Sequence, residues 1–183
     1  QVAHCISTHA VSNEYDYFTA VDDCSADDNA GAGHLGTVEF NSSTLYRYST
    51  VNIAELMENG LSIDEVCVVL SGYLEAFIKA MPTGKQNTFA NRTLPCFTYV
   101  TIREDQPINM AGAFEKAVTG NGKGYEKDSI DAFLEYTKKV YENYAEYPKK
   151  SFVVCLDDVN TEAERVKMKD LARLVEKEIR NYN

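Results

Sequence analysis

Basic residues are nearly missing from the first 78 positions, where Arg47 stands alone against twelve Asp or Glu, a net of −11. No apolar run approaches the ~18 residues that a membrane-crossing helix needs, so no membrane span is expected. No CxxC pair occurs among Cys5, Cys24, Cys67, Cys96 and Cys155. Their odd number and wide scatter exclude a zinc ribbon and a disulfide framework. Cys67 and Cys155 lie in apolar runs and read as core residues, a usage that suits a reducing cytoplasm. The opening Gln1-Val2-Ala3-His4-Cys5-Ile6 has neither the basic start nor the apolar length of a signal peptide. It enters mid-strand without an initiating Met, and a fragment of a longer protein is expected.

What is present is an ordinary globular composition: 183 residues, 44% hydrophobic and 25% charged, most simply one domain able to bury a core. The net charge is −10, but its sign reverses locally. Between Lys79 and Lys127 seven basic residues face four acidic ones, a net of +3. That segment opens with Met81-Pro82-Thr83-Gly84-Lys85-Gln86-Asn87-Thr88-Phe89-Ala90-Asn91-Arg92. An anionic ligand of this acidic protein belongs first at the turn around Lys85.

Val2 to His9, Tyr15 to Val21 and Thr37 to Val51 have strand composition. The last two flank an acidic, Gly- and Ala-rich loop from Asp22 to Gly36, which makes a long hairpin. Ser62-Ile63-Asp64-Glu65 fits a capping box. It opens a helix whose stripe is Ile63, Val66, Leu70, Tyr73, Leu74 and Phe77, ended by Pro82. Cys96 to Arg103 reads as a strand, Ile108 to Val118 as a short helix, and Gly120 to Gly124 as a turn. Asp128 or Ser129 caps a further helix closed by Pro148, and Phe152 to Leu156 is a short buried strand. Thr161-Glu162-Ala163-Glu164 fits a second capping box, opening a final helix with Val166, Leu171, Leu174, Val175 and Ile179 inward. The fold class is α+β.

Most chemical motifs fail on their physics. Gly31-Ala32-Gly33-His34-Leu35-Gly36 matches GxGxxG in letters, but a dinucleotide site needs a strand before it and a helix after it. Gly84-Lys85 and Gly122-Lys123 lack the Ser or Thr and the first Gly of a P-loop. His4 and His9 would point to opposite faces of a strand, and Cys5 and His9 would lie ~13 Å apart along one. Both histidines read as partly buried. Asp22, Asp23, Asp27 and Asp28 lack the EF-hand spacing and its terminal Glu, position twelve from Asp27 being Val38. No Ser has a GxSxG context. There remains the Lys85 turn. Thr83, Gln86, Asn87 and Thr88 supply neutral donors, Gly84 allows close backbone approach, and Lys85 and Arg92 supply charge, a set suited to phosphate and sugar contacts. Tyr46, Tyr48, Phe97 and Tyr99 are candidates for stacking on bases, against the plainer reading of core aromatics.

Six stretches then occur in a familiar order. They are His4-Cys5-Ile6-Ser7-Thr8-His9, Asp16-Tyr17-Phe18-Thr19-Ala20-Val21-Asp22-Asp23 and Ala32-Gly33-His34-Leu35-Gly36-Thr37-Val38-Glu39-Phe40. Next come Tyr46-Arg47-Tyr48, Pro82-Thr83-Gly84-Lys85-Gln86-Asn87-Thr88-Phe89-Ala90 and Ala113-Phe114-Glu115-Lys116-Ala117-Val118. Together they resemble the CasC (Cse-type) backbone subunits of the type I-E CRISPR Cascade complex, from Gln1 to about Val118. The resemblance implies a cytoplasmic, non-enzymatic protein without cofactors, whose copies stack along CRISPR guide RNA and meet a target DNA strand through that guide. Other Cascade subunits would be its further partners. It implies a modified RNA-recognition-motif (ferredoxin-like) palm over 1–183, incomplete at the N-terminus, with C-terminal helices. The first palm strand, its helix and the helical fingers would be missing. Residues 15–40 would form the thumb hairpin, with Tyr17, Phe18, Thr19, His34 and Leu35 on it. Gly84, Lys85, Gln86, Asn87 and Thr88 would contact RNA, with Lys116 and Lys123 as further contacts. Related backbone subunits cut target RNA with a thumb aspartate, so the alternative is a metal-dependent endoribonuclease using Asp22 or Asp23.

Overall fold

A computed structural model describes residues 1–20 and 34–181. The acidic loop, with Asp22, Asp23, Asp27, Asp28, Cys24 and the first glycines of the GxGxxG match, lies outside the described residues. The chain is a mixture of short sheets and helices. Its order is β1 (Ile6–Ser7), β2 (Glu14–Ala20), β3 (His34–Phe40), β4 (Leu45–Tyr46), α1 (Ile53–Glu58), α2 (Ile63–Lys79) and α3 (Gln86–Phe89). There follow β5 (Phe97–Ile102), a 3-10 turn over Met110–Phe114, α4 (Glu126–Asn143), β6 (Lys150–Cys155), β7 (Glu164–Arg165) and α5 (Met168–Arg180).

The body is built on β5-β6-β7, with β5 antiparallel and β7 parallel to β6. Register sets which side chains share a face. Val100 lies opposite Phe152, and with Ile102 and Val154 they meet the apolar stripes of α2 and α5. Val66, Leu70, Leu171, Val175 and Ile179 close that core. Phe97 and Tyr99, on the other face, pack on Phe133 of α4 and Met110. Helices thus cover both faces of a small sheet, the usual way such a sheet hides two apolar sides.

The capping box of α2 forms as its spacing predicts: the Ser62 hydroxyl accepts from Glu65 N–H, and Glu65 accepts from Ser62 N–H at 2.8 Å. The second capping box does not form. Glu164 is drawn into β7, opposite Phe152, and pairs with Lys150 at 2.6 Å. Val166 N–H donates to Val153 C=O, which completes the parallel pairing. The Thr161 hydroxyl accepts only from Ala163 in a local turn, and α5 starts four residues later than Glu164, with Lys167 as its N-cap. Sheet pairing wins over the local helix signal.

Other boundaries also move. The N-cap of α4 is Tyr125 rather than Asp128 or Ser129, and the Ser129 hydroxyl turns back to Tyr125 C=O as a helix-interior residue. The expected strand over 2–9 is reduced to β1 and a bridge between Val2 and Ser49. The run 37–51 breaks into β3 and β4, and His34 and Leu35 belong to β3 rather than to the loop. α1 is unexpected; Asn52 caps it by accepting from Glu55 N–H, and Gly60 at φ 98° leaves it. The Ile108–Val118 segment holds only the 3-10 turn. Cys67 is buried, whereas Cys155 is half-buried and not a core residue.

Candidate nucleic-acid interface

The hairpin arms pair in one unbroken register, from Glu14 opposite Phe40 to Ala20 opposite His34. Alternation puts Tyr15, Tyr17 and Thr19 on one side and Glu14, Asp16 and Phe18 on the other. Phe18 lies over Gly36, where a Cβ would stand 2.3 Å from the ring, so glycine is required there by space. Unlike the body strands, both sides are open to solvent: Tyr15, Tyr17 and Phe18 are 59%, 71% and 46% exposed.

Polar contacts hold the hairpin at its root. Asn41 donates to Asn13, and Asn13 to Glu39, across the two arms. Deeper in, Thr8 N–H donates to Thr44 C=O at 3.0 Å, and the Thr8 hydroxyl shares a 2.8 Å bond with that of Ser129. Thr44 N–H donates to His9 Nε2 at 3.1 Å, while His9 Nδ1 meets Ala10 C=O at 2.8 Å. The His9 ring stacks on Tyr125 at 3.7 Å between centroids. Of the two strand histidines only His9 is buried; His4 is exposed.

The Lys85 turn folds as α3, a single helical turn. Lys85 enters it at φ 55° and Ala90 leaves it at φ 47°, both left-handed. Lys85 C=O accepts from Thr88 and Phe89 N–H, and Arg92 braces the turn by donating to Gln86 at 3.2 Å. Gly84, Lys85, Gln86, Asn87 and Thr88 are all exposed. A Cβ at Gly84 would meet nothing within 4 Å, so its role is not one of fitting a crowded place.

Three contacts join these parts. Phe89 of α3 meets Phe40, the last residue of β3, edge-on at 5.5 Å, bringing the Lys85 turn against the hairpin base. Val118 N–H donates to Thr8 C=O at 2.9 Å, and His9 stacks on Tyr125. The segment with exposed Lys116 and Lys123 is thereby fastened to the root. Inside it, Gly122 at φ 83° and Gly124 at φ 96° permit the turn around Lys123. The Lys85 turn and the segment with Lys116 and Lys123, far apart along the chain, are thus each tied to the base of the hairpin.

The aromatic candidates for base stacking are used elsewhere. Phe97 and Tyr99 pack on Phe133. The Tyr46 phenol donates to Asn109 and accepts from Met110 N–H; burial pushes its pKa up to about 12. Tyr48 is half-buried, and burial raises its phenol too. Core packing is the reading the geometry supports. Sequence alone does not single out Thr44 and Tyr125. Thr8, Phe40 and Phe89 lie within the resembling stretches and Ser129 reads only as a helix cap, so the contacts of all six come from folding. Among the described residues, no group of three His, Cys, Asp or Glu could hold a metal ion, and no helix is long and apolar enough to cross a membrane.

Fold and site define an α+β scaffold with a projecting hairpin and cationic loops at its base. The structure is similar to one titled "CRISPR RNA-guided surveillance complex, pre-nicking", with TM-score 0.82 and 30% identity, covering 98% of this chain and 54% of that one. It is similar to a second, "CRISPR RNA-guided surveillance complex", with TM-score 0.81 and 29% identity, covering 100% of this chain and 70% of that one. The chain therefore spans about half the length of the first relative. No curated protein matches it. The family model described as CT1975-like protein matches residues 1–177, and the chain belongs to that family.

Proposed function

We propose that this protein is a CRISPR-RNA-binding structural backbone subunit of an antiviral DNA-surveillance complex of the Cascade type, without catalytic activity of its own. The observation that carries the reading is the similarity to the two surveillance-complex structures along essentially the whole chain. The site is compatible with it. Phosphate contacts need exposed cations and donors along a track and little sequence readout. Lys85, Lys116 and Lys123 with the neutral donors Gln86, Asn87 and Thr88 offer such a set beside a solvent-exposed hairpin. In this reading the body is the palm of an RNA-recognition-like fold and residues 15–40 are a thumb. Tyr17, Phe18, Thr19, His34 and Leu35 are its contact residues. The partners are guide RNA, a target DNA strand paired to that guide, further copies of the chain and other subunits, all in the cytoplasm.

Lys85→Glu in the complex assembled with guide RNA tests the assignment. The expected result is weaker guide binding for every guide sequence, with a salt slope reduced by about 1. Unchanged affinity and slope in a salt titration would remove Lys85 from the interface.

A further inference from the structure

His9 is a buried histidine whose two ring nitrogens both face backbone groups of fixed polarity. Thr44 N–H can only donate, so Nε2, 3.1 Å away, must be the bare acceptor. Ala10 C=O can only accept, so Nδ1, at 2.8 Å, must carry the hydrogen. The partners leave one state that satisfies both bonds, the neutral Nδ1–H tautomer. A second proton would go to Nε2 and set two N–H donors against each other, turning an attraction into a repulsion inside a 9% exposed site.

The position of this histidine gives that chemistry a mechanical consequence. Ala10 belongs to the arm leaving β1 for the hairpin, and Thr44 to the arm returning from it. Tyr125, stacked on the ring, begins α4 directly after the Lys123 loop. One imidazole therefore ties both arms to each other and to a cationic loop. The titratable groups on the elements around it are Tyr125 against its face, Glu126 and Asp128 in the first turn of α4, Lys116 and Lys123 in the loop that crosses Thr8, and His4 and Cys5 on its own segment.

We propose that His9 is a proton-sensitive latch of the hairpin root. While its ring is neutral, it joins the two arms of the root to each other and to Tyr125; protonation breaks the bond to Thr44 N–H and loosens the root at that point, the Thr8 bonds to Thr44 C=O remaining.

Nitrogen-15 NMR of the full chain, recorded from about pH 7.5 down to about pH 5 across the imidazole range, tests this without any mutation. The expected result is the Nδ1–H tautomer at the upper end. As the ring protonates, the Thr44 amide should lose roughly tenfold of its exchange protection after correction for intrinsic exchange. An Nε2–H tautomer, or Thr44 protection that holds through the titration, would overturn the proposal. His9→Gln places a non-titrating acceptor near Nε2 and should abolish the pH dependence at Thr44; its persistence in a folded variant would assign the effect elsewhere. Should that variant not fold, the wild-type titration alone decides.

Discussion

The strands of the hairpin and those of the body have nearly the same length, seven residues against six, and both are rich in β-branched and aromatic side chains. Their surroundings differ completely. In the body Phe152 and Val153 are each 1% exposed, because α2 and α5 cover one side and α4 the other. In the hairpin Tyr17 is 71% exposed. A two-stranded ribbon is marginal in water by itself, so the hairpin's order has to come from its root. The root is polar: Thr8, His9, Thr44 and Ser129, with ring contacts from His9 to Tyr125 and from Phe40 to Phe89. Apolar area fixes the body, and a few directional bonds aim the hairpin.

The largest expected effect tests the body. Leu171 has no exposure and lies where α5 meets α2 and the sheet. Leu171→Ala should cost about 2–5 kcal/mol, through lost transfer energy and a residual cavity. If the hairpin is a separate unit, its amides should exchange as in the parent below the new melting point. Hairpin protection falling in step with the body would erase the distinction drawn above.

Arg103 comes next. Its side chain is only 7% exposed and donates to both Asp105 oxygens and to Gln106 and Glu146 C=O, while its guanidinium lies 5.2 Å from the Tyr141 ring. Arg103→Met leaves those acceptors without their donor and should cost roughly 2–4 kcal/mol in urea unfolding. Hydrogen bonding from Arg103 holds the Asp105 carboxyl below its usual range. That stabilisation is present above the ordinary carboxylate pKa and is lost as pH falls through the lowered folded value. The parent should therefore lose stability more steeply across that interval than its remaining carboxylates alone would produce. Arg103→Met should flatten that step, measured as stability against pH.

How far sequence reaches follows the same division. α2 is readable because its cap and its stripe are local: Ser62 and Glu65 lie three residues apart, and the apolar residues recur at helical spacing. The hairpin arms are readable because strand-like runs flank a loop. The exposure of the Lys85 turn follows from its polar composition. The start of α5 is misread because β7 captures Glu164, a choice made by β6 across the fold. The fate of Tyr46, Phe97 and Tyr99 depends on Phe133, which no local pattern connects to them. The root is the least legible part, since the Thr8–Ser129 bond joins residues 121 positions apart. Buried polar pairs of that kind leave no periodicity to detect.

A smaller change calibrates local against tertiary contributions. Ser62→Ala removes the hydroxyl that accepts from Glu65 N–H and should cost about 1 kcal/mol in equilibrium unfolding. Ser62 also holds the Glu65 carboxyl below its ordinary range, through backbone and side-chain hydrogen bonds. The penalty should therefore shrink as pH drops and Glu65 protonates in both variants. A cost independent of pH would mean that the bond from the Ser62 hydroxyl to the Glu65 carboxylate contributes nothing.

The smallest expected effect bears most directly on the arm. Phe40 and Phe89 make the one aromatic contact in the described structure between the hairpin base and the Lys85 turn. Phe89 is itself 45% exposed, so truncating it removes little buried area. An edge-on aromatic pair contributes about 0.5–1.5 kcal/mol beyond area. A double-mutant cycle of Phe40→Ala and Phe89→Ala should return a coupling near the low end of that range, because solvent reaches the pair. Its value lies in what accompanies it. If the contact aims the hairpin over the cationic turn, either variant should weaken guide RNA binding by several-fold while Tm falls by no more than the coupling implies. Lost Tm with unchanged RNA affinity would make Phe89 an ordinary loop anchor and leave the polar root as the only device that orients the hairpin.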